Sequence, residues 1–391
     1  MKNYAPTLSG RYRVFIYNSD GSLSKRYDYK PNLMLDAGLD MVASNLFCDC
    51  WRYCNLGTGT SPTVVDSEDI TATQAGNTVT ASAAIFSAQD VGRLLVFDSG
   101  EQAYITSYSS STQVDVSVSR TIGSGTEFAI WRVNQTNLDT YVQHSTTYTG
   151  GQAFNGTTTS GGGIKFAMKR TWSFPLEESD ITYYEIGFHQ DNTADADLFS
   201  RVFDENGYTV AAEQRIQVTY EVTVNFGDLS RPSQNLAITG WPIAPAADTD
   251  AIVGFIKIPI SIVDTDGTTD YNAGGSTTHC IAEPSNSNAT IHIDTSTDFP
   301  VFGTNPSVSQ GNYTPTIESY TAGDFSLIKT WEIPTFVVGT NFRRLLHITN
   351  TLGNDDVGWM AIFNDTQTKY DTHSLKISLQ WTWNRILAAN P

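Results

Sequence analysis

The chain has 391 residues, room for two or three domains at roughly 150 residues each. Its 23 Lys and Arg stand against 41 Asp and Glu, a formal net charge of −18. That balance argues against a nucleic-acid-binding surface, which needs clustered cations for phosphate contacts. Hydrophobic residues at 40% and aromatics at 12% exclude wholesale disorder, while charged residues at 16% fall below the ~25% of an average soluble domain. Ser, Thr, Asn, Gln, Gly and Tyr fill the gap, which suits pleated sheets and excludes helical bundles and coiled coils.

The first residues, Met1 to Thr7, lack the apolar core of a signal peptide. The longest apolar stretch, Ala251 to Val263, is interrupted by Lys257 and Pro259 and is too short to span a bilayer. Neither export nor membrane insertion is expected. Gly10 to Tyr17 reads as a strand, closed by an Asn18-Ser19-Asp20-Gly21 turn. Asp36 to Phe47 is the one convincing helix: Asp36 is placed to cap it, and Leu39, Val42, Ala43, Leu46 and Phe47 form an apolar stripe. Trp51 to Leu56 reads as a strand running into the irregular loop Gly57-Thr58-Gly59-Thr60-Ser61-Pro62.

Residues 70–134 read as a separate unit. Its short strands begin at Asn77, Arg93, Gln102, Gln113 and Glu127, with the turn spacing of a small antiparallel barrel. A Gly161-Gly162-Gly163 loop follows. From Ile216 to Phe226 six apolar positions alternate with five polar ones, the mark of an antiparallel strand with one wet face. Residues 231–250 read as a linker, and Ile256 to Ile262, with Pro259 on its polar face, as an edge strand. The fold expected is all-β: tandem antiparallel β-sandwich domains of jelly-roll type, a small inserted β-barrel module and one short helix. The N-terminal sandwich takes residues 1–69 and 135–230, the module 70–134, and the C-terminal sandwich 231–391.

The sequence also echoes itself. Arg170-Thr-Trp172-Ser-Phe-Pro175 is matched by Lys329-Thr-Trp331-Glu-Ile-Pro334. Counted from each Trp, Tyr183 and Phe342 both stand at +11, and Ile216 and Leu375 both open a long strand at +44. Phe199 to Phe203 is matched by Trp359 to Phe363. Two related sandwich halves would produce this, and so would strand starts common to any sandwich.

Chemistry is harder to place. Cys48, Cys50 and Cys54 lack the spacing of zinc knuckles and read as reduced, part-buried thiols. The six histidines show no ligand spacing, and the Gly57–Pro62 loop lacks the Lys-Ser/Thr ending of a phosphate loop. No catalytic pair can be picked from 41 carboxylates. The chain is expected to be no enzyme and to need no cofactor. Asp264, Asp266 and Asp270 surround Gly267 as oxygen ligands surround calcium, though no Glu closes the loop as in an EF-hand. Calcium is the metal such a loop would take; a solvated turn is its commoner role. Asp204-Glu205-Asn206-Gly207 reads as a hairpin turn. Tyr183 and Tyr184 qualify by composition as a sugar-stacking platform, whereas alternation puts Trp381 and Trp383 on an inward face.

Asn55-Leu-Gly-Thr-Gly-Thr-Ser-Pro62 after a short helix resembles a motif of structural proteins in tailed-bacteriophage tails and appendages. Leu198-Phe-Ser-Arg-Val-Phe203, followed by Ile216-Gln-Val-Thr-Tyr-Glu-Val222, resembles it too. The unit around Asp90-Val-Gly-Arg-Leu-Leu-Val96 is similar to small β modules inserted in phage tail and receptor-binding proteins. The resemblance spans roughly the first 230 residues. It implies a virion component made in the host cytoplasm: a tail, neck or collar, or fibre-attachment protein that assembles with copies of itself and with other tail or neck proteins. The alternative is a receptor-binding fibre protein that grips host surface glycans. Fibre proteins usually carry repetitive shafts or trimeric coiled coils, and neither occurs here, so the structural role is favoured.

Overall fold

The computed structural model describes residues 7–44, 50–145, 147–149, 155–158, 163–191, 197–228, 237–239, 261–263, 269–271, 289–294, 315–334, 340–351, 354–369 and 374–385. Strand β1 (Thr7–Asn18) turns at Gly21, where φ is +84°, into β2 (Leu23–Arg26), and β3 (Lys30–Met34) follows. The helix α1 (Asp36–Ser44) carries the first part of the apolar stripe, and 45–49, with Leu46 and Phe47, lie outside the described residues. It buries Leu39, Val42 and Ala43. Gly38 is required by close approach: a Cβ there would stand 2.0 Å from the Phe199 carbonyl oxygen. No described helix is long and apolar enough to cross a membrane.

Next come β4 (Tyr53–Gly57), then the four strands of the inserted module: β5 (Val64–Ala81), β6 (Leu94–Phe97), β7 (Gln102–Ser110) and β8 (Gln113–Trp131). β8 pairs with each of the other three. The short strands read at Gln113 and Glu127 are the two ends of this one strand, which runs through Gly123 and Gly125. Val79, Leu95, Phe97, Ile105, Val114 and Phe128 are buried in a core of the module's own.

The chain returns through β9 (Tyr141–Ser145), β10 (Tyr148–Thr149), β11 (Asn155–Thr158), β12 (Gly163–Ser173), β13 (Ile181–His189), β14 (Leu198–Val210) and β15 (Gln214–Asp228). The two layers of the expected sandwich are joined, because β3 pairs with β1 through Lys30–Asn32 and with β14 through Leu33–Met34. The order runs β10-β12-β15-β1-β3-β14-β13-β4-β9. Its two end strands, β9 and β10, are separated by only two residues, so the sheet is a nearly closed barrel. Trp51, Trp172, Phe188, Tyr220 and the even-numbered residues of β1 from Tyr12 to Ile16 fill it.

Asp204 to Gly207 is not the hairpin that its Asn-Gly pair predicts. These residues form a bulge inside β14, since Tyr208 pairs with Tyr183 and Phe203 with Glu185. Gly207 supplies the φ of +61° and the Asp204 side chain accepts a bond from the Asn206 N–H. Bulge and hairpin need the same residue types, and here the bulge wins. The β14–β15 turn falls at Ala211–Glu213 instead.

The second half is built from β16 (Ala237–Thr239), β17 (Ser261–Val263), β18 (Thr269–Tyr271), β19 (Ala289–Asp294), β20 (Thr316–Ile317), β21 (Ser326–Ile333), β22 (Thr340–Thr351), β23 (Asn354–Lys369), β24 (Leu375–Thr382) and β25 (Asn384–Arg385). It repeats the first half in register. Trp172 pairs with Val218 and Trp331 with Ile377, each 46 residues on. Ile186–Val202 and Leu345–Ala361 are likewise the +14 and +30 positions. Even the register shifts coincide, at +11/+13 and at +16/+17 in β13 and in β22. Sheet β16-β24-β21-β20 thus mirrors β1-β15-β12-β10, and β19-β22-β23 mirrors β4-β13-β14. The match of Phe199 with Trp359 is one residue out: the register equivalent of Val202 is Ala361.

Candidate functional site

Two of the motif segments meet at a buried ion pair. Glu185 and Arg201 lie on the paired strands β13 and β14, and both side chains are fully buried. The Arg201 Nη2–H donates to Glu185 Oε2 at 2.7 Å, to Asp139 Oδ2 at 3.0 Å and to the Ser61 carbonyl at 3.0 Å. Glu185 also accepts the backbone N–H of Asp139 at 2.8 Å and of Thr140 at 3.0 Å. Ser61 precedes the module and Asp139 follows it, so one ion pair holds both connections. Gly59 is dictated by this contact: a Cβ there would lie 1.9 Å from Glu185 Oε1. Leu33, Leu35, Leu94, Trp131, Val133, Leu138 and Leu198 seal the junction with apolar surface. Such a pair, with both charges desolvated and hydrogen-bonded, fixes geometry. Sequence reasoning named the loop but missed Glu185, because nothing in local spacing links it to Arg201.

A second tie joins the chain's far end to this unit. Arg385 bonds the Met34 carbonyl at 2.7 Å and also pairs with Asp36, whose carboxylate accepts the Tyr104 hydroxyl at 3.0 Å. Burial pushes the Asp36 carboxyl up despite the cation, and Tyr104 up to about 12. The Trp383 indole N–H donates to the Leu39 carbonyl at 2.8 Å and the ring is buried, as its alternation predicts.

The outer face of β1 is different in kind. Tyr12, Val14 and Ile16 point inward, so Arg11, Arg13, Phe15 and Tyr17 point out. The Arg11 and Arg13 guanidinium carbons stand 4.5 and 4.4 Å from the Tyr29 ring centre, and Arg13 also lies 4.5 Å from Phe15. Phe15 stacks with Tyr17 at 6.2 Å, and Arg215 reaches Tyr17 at 5.8 Å. Arg11 takes a carboxylate from Glu221 at 2.6 Å. Neither Arg13 nor Arg215 has a carboxylate partner among the described residues, and the buried Arg13 Nε has no hydrogen-bond acceptor. Six of the 23 Lys and Arg but two of the 41 Asp and Glu fall in residues 1–30.

Cys50 and Cys54 are buried in the core without a disulfide, and burial pushes the Cys54 thiol well up; Cys48 and Cys280 lie outside the described residues. His189 is buried and hydrogen-bonded to Asn55 Oδ1 at 2.8 Å, while His144 is exposed against the Tyr141 hydroxyl. Tyr183 is buried, with its hydroxyl donated to Glu177 at 2.7 Å, so its ring offers no stacking face. Asp264 and Asp266 lie outside the described residues, as do most of 231–260; Asp270 is in β18, paired with Ile262. Among the described residues no three His, Cys, Asp or Glu side chains gather as metal ligands. Comparison with known protein families, curated proteins and solved structures gave no match to this chain.

Proposed function

We propose that the chain is a non-enzymatic structural protein of a tailed-phage virion, a tail, neck or fibre-attachment component that acts by homo-oligomeric assembly. The observation that carries the assembly reading is the stacked cationic face of β1, half-buried apart from the exposed Arg11 and Arg215, on a chain whose net charge is −18. Residues outside the first 30 hold 39 of the 41 carboxylates, so copies of the chain carry complementary charge. The phage reading rests on the resemblance of the Asn55–Pro62 and Leu198–Phe203 segments, whose residues Ser61 and Arg201 meet at the module junction. Virion neighbours are other tail or neck proteins, and the chain reaches the particle from the host cytoplasm.

Light scattering on purified protein, and a search for the chain in isolated virions, tests this. A discrete oligomer that grows in with concentration and is present in particles is expected. A strict monomer absent from the particle, or robust hydrolysis of host polysaccharide, overturns it. Saturable binding of host glycan by a monomer would instead favour the receptor-binding alternative.

A further inference from the structure

We infer that the β1 face docks the acidic end of the inserted module of a second copy of this chain. The inference rests on the assembly reading and names its contact. The face presents a ladder, Arg11–Tyr29–Arg13–Phe15–Tyr17–Arg215, in which each guanidinium lies over at least one ring and Phe15 stacks on Tyr17. The Arg13 guanidinium has the Tyr29 and Phe15 rings beside it, and Arg11 and Arg215 each meet one ring, so their N–H edges remain for a partner. Such stacking lowers the entropy lost when an arginine is fixed, and a planar fork prefers carboxylates. Glu221 already shows the mode on Arg11, at 2.6 Å, while Arg13 and Arg215 have no carboxylate among the described residues.

The complementary surface lies at one end of the module. Asp98 follows β6 and its N–H donates to the Glu127 carbonyl at 3.0 Å, so the two acids are neighbours. Asp69 sits in the β5 bulge between Asp66 and Thr71, which pair with Ala129 and Glu127. Asp69, Asp98 and Glu127 are all exposed, and none forms an ion pair among the described residues. Neighbouring strands present side chains about 5 Å apart and alternate residues on one strand about 7 Å apart, so paired acids can address paired arginines. Face and module end are different surfaces. Copies related by the contact pair reciprocally about a two-fold axis, close into a larger ring or run on as a filament.

Charge-swapped full-length chains test it. One variant carries Arg11→Glu and Arg13→Glu, the other Asp98→Arg and Glu127→Arg; circular dichroism confirms that each is folded, and all four sites lie outside the buried core. In sedimentation at low salt each variant alone should associate at least about tenfold more weakly than the parent, and the equimolar mixture should recover association. Added salt should weaken the parent's assembly. If the parent assembles and the Arg variant assembles equally well, or the mixture fails to recover, the docking contact is wrong while the assembly reading stands. If the parent is a monomer at every concentration and absent from particles, both fall. Arg11- and Arg13-dependent binding of heparin by a parent that stays monomeric would assign the face to a polyanion and overturn the contact.

Discussion

The two halves of the chain share strand order, register and even the positions of their bulges, yet differ in what has been added. From Gly57 to Thr149 the first half runs 92 residues; between their register equivalents, Asp294 and Thr316, the second runs 22. The difference of 70 is close to the 68 residues of Val64–Trp131. One half therefore displays the sandwich without its module. The ion pair goes with the module: at the places of Glu185 and Arg201 the second half has Arg344 and Met360. What the halves keep in common belongs to the sandwich itself, including a buried cation two residues before the Trp, Arg170 and Lys329, each 1% exposed.

The comparison is broken most severely by making the first half resemble the second. Replacing 64–131 with a short Gly-Ser linker should leave a soluble, folded remainder with a single cooperative melt. The loss of Trp131 from the junction should destabilise it by about 3–5 kcal/mol. Complete loss of soluble protein would mean that the module is not separable. Next, Arg201→Met installs the second half's residue and strands the Glu185 carboxylate; denaturant unfolding should show a loss of about 3–5 kcal/mol. A loss below ~1 kcal/mol would show that the pair is not what holds the junction.

The smallest effect concerns acid. Burial lowers the His189 pKa from 6.5 to about 4, and the second half has Ile348 at that place. The unfolded chain binds a proton below about pH 6.5 that the native state refuses until about pH 4. Stability should thus fall as pH drops through that window, by up to about 3 kcal/mol. His189→Gln keeps a donor for Asn55 and should flatten this part of the stability profile. An unchanged slope would place the acid sensitivity elsewhere.

The all-β fold was legible because strand alternation and the Leu39–Val42–Ala43 stripe are local signals, written at periods of two and 3.6 residues. The echo was legible for the same reason, although without strand registers it slipped by one residue at Val202. Turn chemistry misled at Asp204–Gly207 and inside β8, where Gly125 takes a φ of +84° without ending the strand. The junction was half legible. The Gly-Thr-Gly loop was visible, but its partner Glu185 lies more than a hundred residues away and only the fold brings them together. Arg11 and Arg13 were visible as alternating residues of a strand, whereas Tyr29, the ring between them, arrives through the hairpin.

The shared anchorage of the module's two connections has a mechanical consequence. A tug on the far end of the β5–β8 pair travels down two adjacent strands and reaches the barrel near Ser61 and Asp139 together. Neither connection can be peeled away while the other stays slack, since both are bonded to the Glu185–Arg201 couple. The module is mounted as a lever on a single bearing, and torque applied to it is delivered to β13 and β14, deep in the barrel wall, rather than to a surface loop.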